Sequence, residues 1–284
     1  MGIPLATLFG GAFFVMAAST FLHREKMMTT EYIDTIQFTK WWLKNPQGNE
    51  QVMAAFRAFV KQINETEPGT FTYLMYTPNL QVANQPSQVP TELFFIESYA
   101  SPAAFSIHVD AFVKAISDPY KASFYPYAMN TAEPLVLTDC CARFRPTSVS
   151  APCGFIRPDG FKHAQITQNA SWWVKPEKNK HELLNALYEF SLWVKKNEPG
   201  TLMYFFTNPE QGKTAPPAPE GEINFIAAYQ NEQAQTEHYA NWNARFLSKY
   251  KDYFVASCND PSVPFIEEQN LRFFDGFIRQ KNWD

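Results

Sequence analysis

Glu67-Pro68-Gly69-Thr70 and Glu198-Pro199-Gly200-Thr201 are the same four residues, at an offset of 131 (198 − 67). The same offset carries Trp41-Trp42 onto Trp172-Trp173, Lys44 onto Lys175, Ala55 onto Ala186, Phe59 onto Phe190 and Tyr73 onto Tyr204. Past the tyrosine one loop residue is lost and the offset becomes 130, which sets Phe95-Ile96 on Phe225-Ile226, Tyr99 on Tyr229 and His108 on His238. Near the ends, Arg143-Phe144 reads against Arg272-Phe273. Similarity sustained at one period means a duplicated unit. Repeat 1 is placed at residues 29–146 and repeat 2 at 163–284, joined by a linker at 147–162 that carries prolines and Gly154.

Both copies predict the same elements. A strand rich in β-branched and aromatic residues comes first, at Ile33–Trp42 and at His163–Trp173. A helix follows, in which Val52, Phe56, Phe59, Val60 and Ile63, or Leu183, Leu184, Leu187, Phe190 and Val194, recur every three or four residues. The Glu-Pro-Gly triplet stops it, because proline cannot continue a helix and glycine accepts a left-handed turn. A second strand, a Pro-rich loop (Thr77–Pro90; Asn208–Gly221) and a third strand (Glu92–Tyr99; Glu222–Tyr229) come next. A second helix bearing His108 or His238, a shorter helical piece and a last strand (Pro134–Phe144; Glu267–Phe277) complete the unit. The order β-α-β-β-α-β is ferredoxin-like. Such a unit leaves one face of its sheet bare, and two joined copies cover each other's faces. The predicted fold is α+β: two ferredoxin-like repeats clasped into an intramolecular dimeric α+β barrel, with ligand cavities between the clasped sheets.

The two histidines are the first candidates for chemistry, since imidazole exchanges protons near neutral pH. His238, Trp242 and Phe246 share a helix face at i, i+4, i+8, as do His108, Phe112 and Ile116. Packing within a helix–sheet interface is the competing reading of each histidine. Repeat 2 adds Asn241 and Arg245 where repeat 1 has Ala111 and Ala115, whereas repeat 1 has Glu97, Asp110 and Lys114 against Ala227, Ala240 and Ala244. That asymmetry points to repeat 2 as the working copy. Adjacent strand residues face opposite ways, so one Trp of each pair faces inward. Trp42 and Trp173 are taken as the pocket walls, and Tyr73 and Tyr204 as hydrogen-bonding groups, with simple core filling as the alternative. His163 opens the first strand of repeat 2; His181 sits in a charged loop and reads as solvated.

Composition narrows the classes. The chain has 284 residues, a net charge of −4 and no dense basic cluster, which argues against nucleic acid as a partner. Rings are abundant (26 Phe, 13 Tyr and 7 Trp), enough both for two cores and for a pocket that receives a flat ligand. Cys140, Cys141, Cys153 and Cys258 form no CxxC pair, so neither a metal site nor a disulfide framework is expected. Glycine-rich phosphate loops, Ser-His-Asp arrangements and carboxylate-rich metal motifs are absent from the sequence. Ile3–Leu22 is an uncharged run followed by His23-Arg24-Glu25-Lys26. It reads as a membrane anchor with a cytosolic body, as a cleaved signal, or as an artefact of start-site choice that leaves a cytoplasmic protein from Met27-Met28.

The motif Glu67-Pro68-Gly69 … Tyr73 … Glu97-Ser98-Tyr99 … His108 resembles the antibiotic-biosynthesis-monooxygenase (ABM) domain, and from residue 33 onward the resemblance covers nearly the whole chain. It returns as Glu198-Pro199-Gly200 … Tyr204 … Ala227-Ala228-Tyr229 … His238, where Ala227 departs from the family's glutamate. Tandem chains of this type look most like fungal natural-product enzymes. The resemblance implies a monooxygenase that needs no cofactor and joins dioxygen to a small, hydrophobic, electron-rich substrate of polyketide type, aromatic or polyene. His238 or His108 would be the base, with Asn241, Tyr204, Trp242 and Arg245 around the substrate. The wider superfamily leaves open a cyclase, isomerase or decarboxylase on the same substrates, a haem-degrading enzyme, and a non-catalytic binder.

Overall fold

The computed structural model describes residues 35–44, 50–79, 92–127, 130–134, 136–143, 153–209 and 221–279. Residues 3–22, read above as an anchor, and most of both Pro-rich loops lie outside them. Among the described residues no helix is long and apolar enough to cross a membrane.

Repeat 1 supplies β1 (Thr35–Trp42), α1 (Glu50–Thr66), β2 (Thr70–Pro78), β3 (Glu92–Tyr99), α2 (Pro102–Phe112), a small hairpin of β4 (Pro126–Tyr127) and β5 (Asn130–Pro134), and β6 (Val136–Arg143). Then come β7 (Gly154–Ile156) and a one-turn α3 (Gly160–His163). Repeat 2 follows with β8 (Ile166–Trp173), α4 (Lys180–Asn197), β9 (Thr201–Pro209), β10 (Glu222–Tyr229), α5 (Glu232–Asn241) and β11 (Ile266–Ile278). After α2 and α5 the chain continues as wide π-helical turns, Val113–Ser117 and Trp242–Leu247.

All pairings are antiparallel, and the strands run β10-β8-β11-β2-β3-β1-β6-β9 before β9 meets β10. The sheet is therefore a closed eight-stranded barrel. Each last strand lies between its own first strand and the other repeat's second strand: β11 joins β8 to β2, and β6 joins β1 to β9. Closure leaves these eight strands without open edges and makes each repeat finish the other's sheet.

Ladder register refines the repeat alignment. Cys140 pairs with Gln37 as Asn270 pairs with Gln168, which sets the last strands 130 apart. Arg143 thus corresponds to Phe273, one place from the pairing read off sequence identity. The segment read as a linker also carries structure, since β7 adds to β9. Gly154 makes this possible: its φ is +106° and a Cβ there would stand 2.4 Å from the Phe205 backbone. His163, expected to open a strand, ends α3 instead and is exposed, because β8 starts only at Ile166.

Three apolar clusters stack through the molecule. Inside the barrel, Ile36, Phe38, Tyr76 and Phe94 of repeat 1 mesh with Met203, Phe205, Ile226 and Leu271 of repeat 2. An eight-stranded barrel is just wide enough for such side chains to fill it. Side-chain packing therefore joins the two repeats inside the barrel. The other clusters lie outside the barrel, one under α1 and α2 and one under α4 and α5.

Candidate active site

The Glu-Pro-Gly triplet does more than stop a helix. The N–H groups of Glu67 and Glu198 donate to Ile63 and Val194, closing the last turns of α1 and α4, and both carboxyls turn inward to near-complete burial. Gly69 and Gly200 do not adopt the expected left-handed conformation. They are glycines because α2 and α5 start against them: an added Cβ would lie 2.6 Å from the Cβ of Ala104, or 2.7 Å from that of Ala234. This close approach drops the histidine of the second helix onto the glutamate of the first.

In repeat 2, His238 Nδ1 donates to Glu198 Oε2 at 2.7 Å, with both side chains buried. Thr201 Oγ1 donates to the same oxygen at 2.9 Å, and Asn241 Nδ2 to Oε1 at 3.1 Å. A carboxylate so held fixes the imidazole's tautomer and orientation, leaving Nε2 to take or give a proton. Repeat 1 repeats the pair, His108 Nδ1 to Glu67 Oε2 at 2.9 Å with Thr70 Oγ1 at 2.9 Å. There, however, Ala111 replaces Asn241, and Glu67 Oε1 is buried without a hydrogen bond.

The repeats differ most in the space beside the histidine. In repeat 2 a cavity of about 190 Å³ lies between the helix layer and the outer face of the barrel. Trp172, Leu187, Phe206, Ile223, Phe225, Leu247, Phe254 and Ile266 give it apolar walls, together with Trp242 from the π-helical turn. His238, Tyr239, Gln168, Glu268 and Asn243 bring the polar groups. At the position of Leu187, repeat 1 has Phe56, whose ring is fully buried against Phe95 and Phe112 at centroid distances of 5.4 and 6.2 Å. An aromatic ring thus takes up room that repeat 2 leaves open.

The other expected site residues fall into three groups. Trp242 lines the cavity. Asn241 and Tyr204 support the histidine: Asn241 through Glu198, and Tyr204 edge-on to the His238 ring at 4.8 Å. Tyr73 is tilted against His108, with the ring centroids 5.2 Å apart. Burial first, then the neighbouring Tyr229, hold the Tyr204 hydroxyl protonated far above the usual range; burial, then Glu97, do so for Tyr73. Neither tyrosine borders the cavity, and Trp173, Trp42 and Arg245 do not border it either. Trp173 lies on the barrel-facing side of β8, tilted against Phe265 at 5.1 Å, while its neighbour Trp172 walls the cavity. Trp42 shares that inner orientation, and Trp41 is the one that packs under the helices on Phe112 and Phe124. Arg245 is exposed, with its guanidinium over Trp193 at 4.0 Å.

Sequence reasoning missed Glu67 and Glu198 as partners of the histidines, from which they stand 41 and 40 residues away in the chain. It also missed Gln168, Tyr239 and Glu268. These are unique to repeat 2 as a set: Val109 stands for Tyr239, and Thr138 has the ladder position of Glu268. Among the described residues no three His, Cys, Asp or Glu side chains gather closely enough to hold a metal ion.

No family model and no curated protein sequence matches this chain. Its architecture does have solved counterparts. A candidate monooxygenase from Fusobacterium nucleatum superposes with a TM-score of 0.61 at 13% identity, over 88% of this chain and 97% of that one. A second candidate monooxygenase, from Lactobacillus acidophilus, gives 0.58 at 12% identity over 87% and 97%. An anthrone oxidase-like protein gives 0.51 at 8% identity over 88% and 94%. Each is matched almost end to end, so the doubled unit itself is shared. At these identities the likeness is one of fold, the dimeric α+β barrel.

Proposed function

We propose that repeat 2 is the catalytic half of a monooxygenase that needs no cofactor and acts on a small, electron-rich aromatic substrate. One observation carries this reading: a carboxylate-held imidazole, His238 on Glu198, forms part of the wall of an apolar cavity. The ABM-like motif supports it, as do the structural counterparts, two candidate monooxygenases and an anthrone oxidase-like protein.

The chemistry follows from the site. His238 Nε2 takes a proton from an activated C–H or O–H of the substrate, and Glu198 stabilises the imidazolium that forms. The anion passes electrons to dioxygen and bonds to it, giving a hydroperoxide once His238 returns the proton. Loss of water, with the second hydrogen of that carbon, leaves a ketone. In sum, CH₂ and O₂ become C=O and H₂O, and the substrate carbon supplies all four electrons that reduce dioxygen. The rings around the cavity shield the carbanion and peroxide from water. An apolar cavity of about 150 Å³ accepts benzene, so 190 Å³ suits one or two fused rings, and a longer polyketide-type substrate would insert its reacting ring.

Dioxygen uptake with a panel of hydroxyarenes and anthrones, followed by product analysis under labelled oxygen, tests the proposal. Uptake with one labelled oxygen atom retained per product is expected. Conversion without uptake or label would overturn the oxygenase and leave the same base serving an isomerase, cyclase or decarboxylase.

A further inference from the structure

The cavity has a polar pole that the proton transfer leaves unused. Tyr239 follows His238 on α5, and their ring centroids are 6.4 Å apart. The Tyr239 hydroxyl donates to Glu268 Oε1 at 3.1 Å and accepts from Gln168 Nε2 at 2.5 Å and from Gln235 Nε2 at 3.3 Å. Gln168, Tyr239 and Glu268 all border the cavity, and they come from three separate elements, β8, α5 and β11. Ladder pairing of Ala170 with Glu268 sets the carboxyl on the outward, helix-covered face of the barrel. Such a cluster is costly in an otherwise ring-lined space, because burying a carboxyl opposes its ionised form. Burial indeed raises the Glu268 carboxyl, against the hydrogen bonds from Tyr239 and Gln168 that lower it. Repeat 1 has Val109 and Thr138 in the places of Tyr239 and Glu268.

We infer that Gln168, Tyr239 and Glu268 are specificity-determining residues: they select a neutral hydroxyarene, whose O–H donates to this pole, and reject an arene carboxylate. The inference rests on the cavity identified above as the active site. Two forces set the choice. Glu268 offers a strong acceptor to an incoming hydroxyl, and its charge repels a ligand carboxylate inside a low-dielectric wall. Trp172 and Trp242 flank the same space, with ring centroids 5.4 Å apart, and give a flat ring its apolar contact. A ligand without polar groups gains only that contact, so it is indifferent to the pole.

Quenching of tryptophan fluorescence in the full chain, without any turnover, measures this with 1-naphthol, 1-naphthoate and naphthalene. Wild-type protein is expected to bind 1-naphthol at least about tenfold more tightly than 1-naphthoate. Glu268→Gln, which keeps the shape and an acceptor but removes the charge, is expected to bring that ratio below about threefold by strengthening naphthoate binding. Tyr239→Phe is expected to weaken naphthol alone, and naphthalene to bind all three proteins alike. Equal binding of naphthol and naphthoate by the wild type, a ratio unchanged in Glu268→Gln, or no binding of any probe overturns the inference. Since dioxygen is not consumed in the measurement, failure of the oxygenase proposal leaves it standing. Uptake by a protein that does not discriminate the probes would sink it alone.

Discussion

Glu198 holds one carboxylate among three donors, Thr201, Asn241 and His238, and this crowding is what aims the imidazole. Glu198→Gln replaces a charge with an amide and loosens both tautomer and orientation. A fall in kcat of about 100-fold with KM within about threefold is expected in steady-state oxygen uptake; a change confined to KM would contradict the role given to Glu198. Repeat 1 answers to a different titration. Burial lifts the Glu97 carboxyl above its ordinary range, and the nearby charge of His108, then the hydrogen bond from Tyr99, pull the other way. A carboxyl with a higher pKa folded than unfolded favours the folded state below its unfolded pKa, and this support is lost as pH rises through the folded value. Glu97→Gln, still able to accept from Tyr99, is therefore expected to raise Tm at neutral pH more than in mild acid. An identical gain at both pH values in thermal melts would refute this. At this scale both histidines were legible from sequence, because a ring repeated at one period stands out. Their glutamates were not, since an acidic residue at a helix end reads as solvated surface. The choice between Trp172 and Trp173 was equally hidden: alternation says that two neighbours face apart, not which of them faces the helices.

At the level of elements, the first helices of the two units differ at a position that borders the cavity, Leu187 against Phe56. Leu187 on α4 leaves room that Phe56 on α1 takes away. Leu187→Phe is expected to abolish ligand quenching while stability stays within about 1.5 kcal/mol, because the new ring enters existing space. Phe56→Leu in repeat 1 is expected to cost about 1–3 kcal/mol in denaturant unfolding, since it opens a void in a packed cluster. Equal losses from the two substitutions would contradict the difference between the halves. The wide turn after each second helix belongs here too. In repeat 2 it keeps His238, Trp242 and Phe246 buried together, with the Trp242 and Phe246 rings stacked at 4.3 Å. A spacing of four fits an α-turn as well as a π-turn over so short a stretch, so the shared face was legible and the widening was not. β7 escaped notice because three residues beside prolines carry no period.

For the molecule as a whole, closure of the barrel is the organising fact, and duplication made it readable. What periodicity did not tell was where this cavity would be: side chains of both repeats mesh inside the barrel, and the cavity lies outside it, beneath the helices of repeat 2. Contacts between repeats have their own test. Gln269 Nε2 of β11 donates to Glu92 Oε1 of β3 at 2.7 Å, and Lys40 Nζ stands 3.7 Å from that oxygen. Gln269→Ala strips a buried carboxylate of a donor and is expected to cost about 1–3 kcal/mol in a single unfolding transition. Two separate transitions in the wild type would mean that the repeats are less interdependent than a closed barrel requires. The division of labour between the halves is tested most directly by comparing His238→Ala with His108→Ala in dioxygen uptake on a substrate that the wild type turns over. A loss of about 100-fold or more is expected for His238→Ala, with near wild-type turnover for folded His108→Ala. Turnover that survives His238→Ala, or that disappears with His108→Ala while the fold is intact, would contradict it.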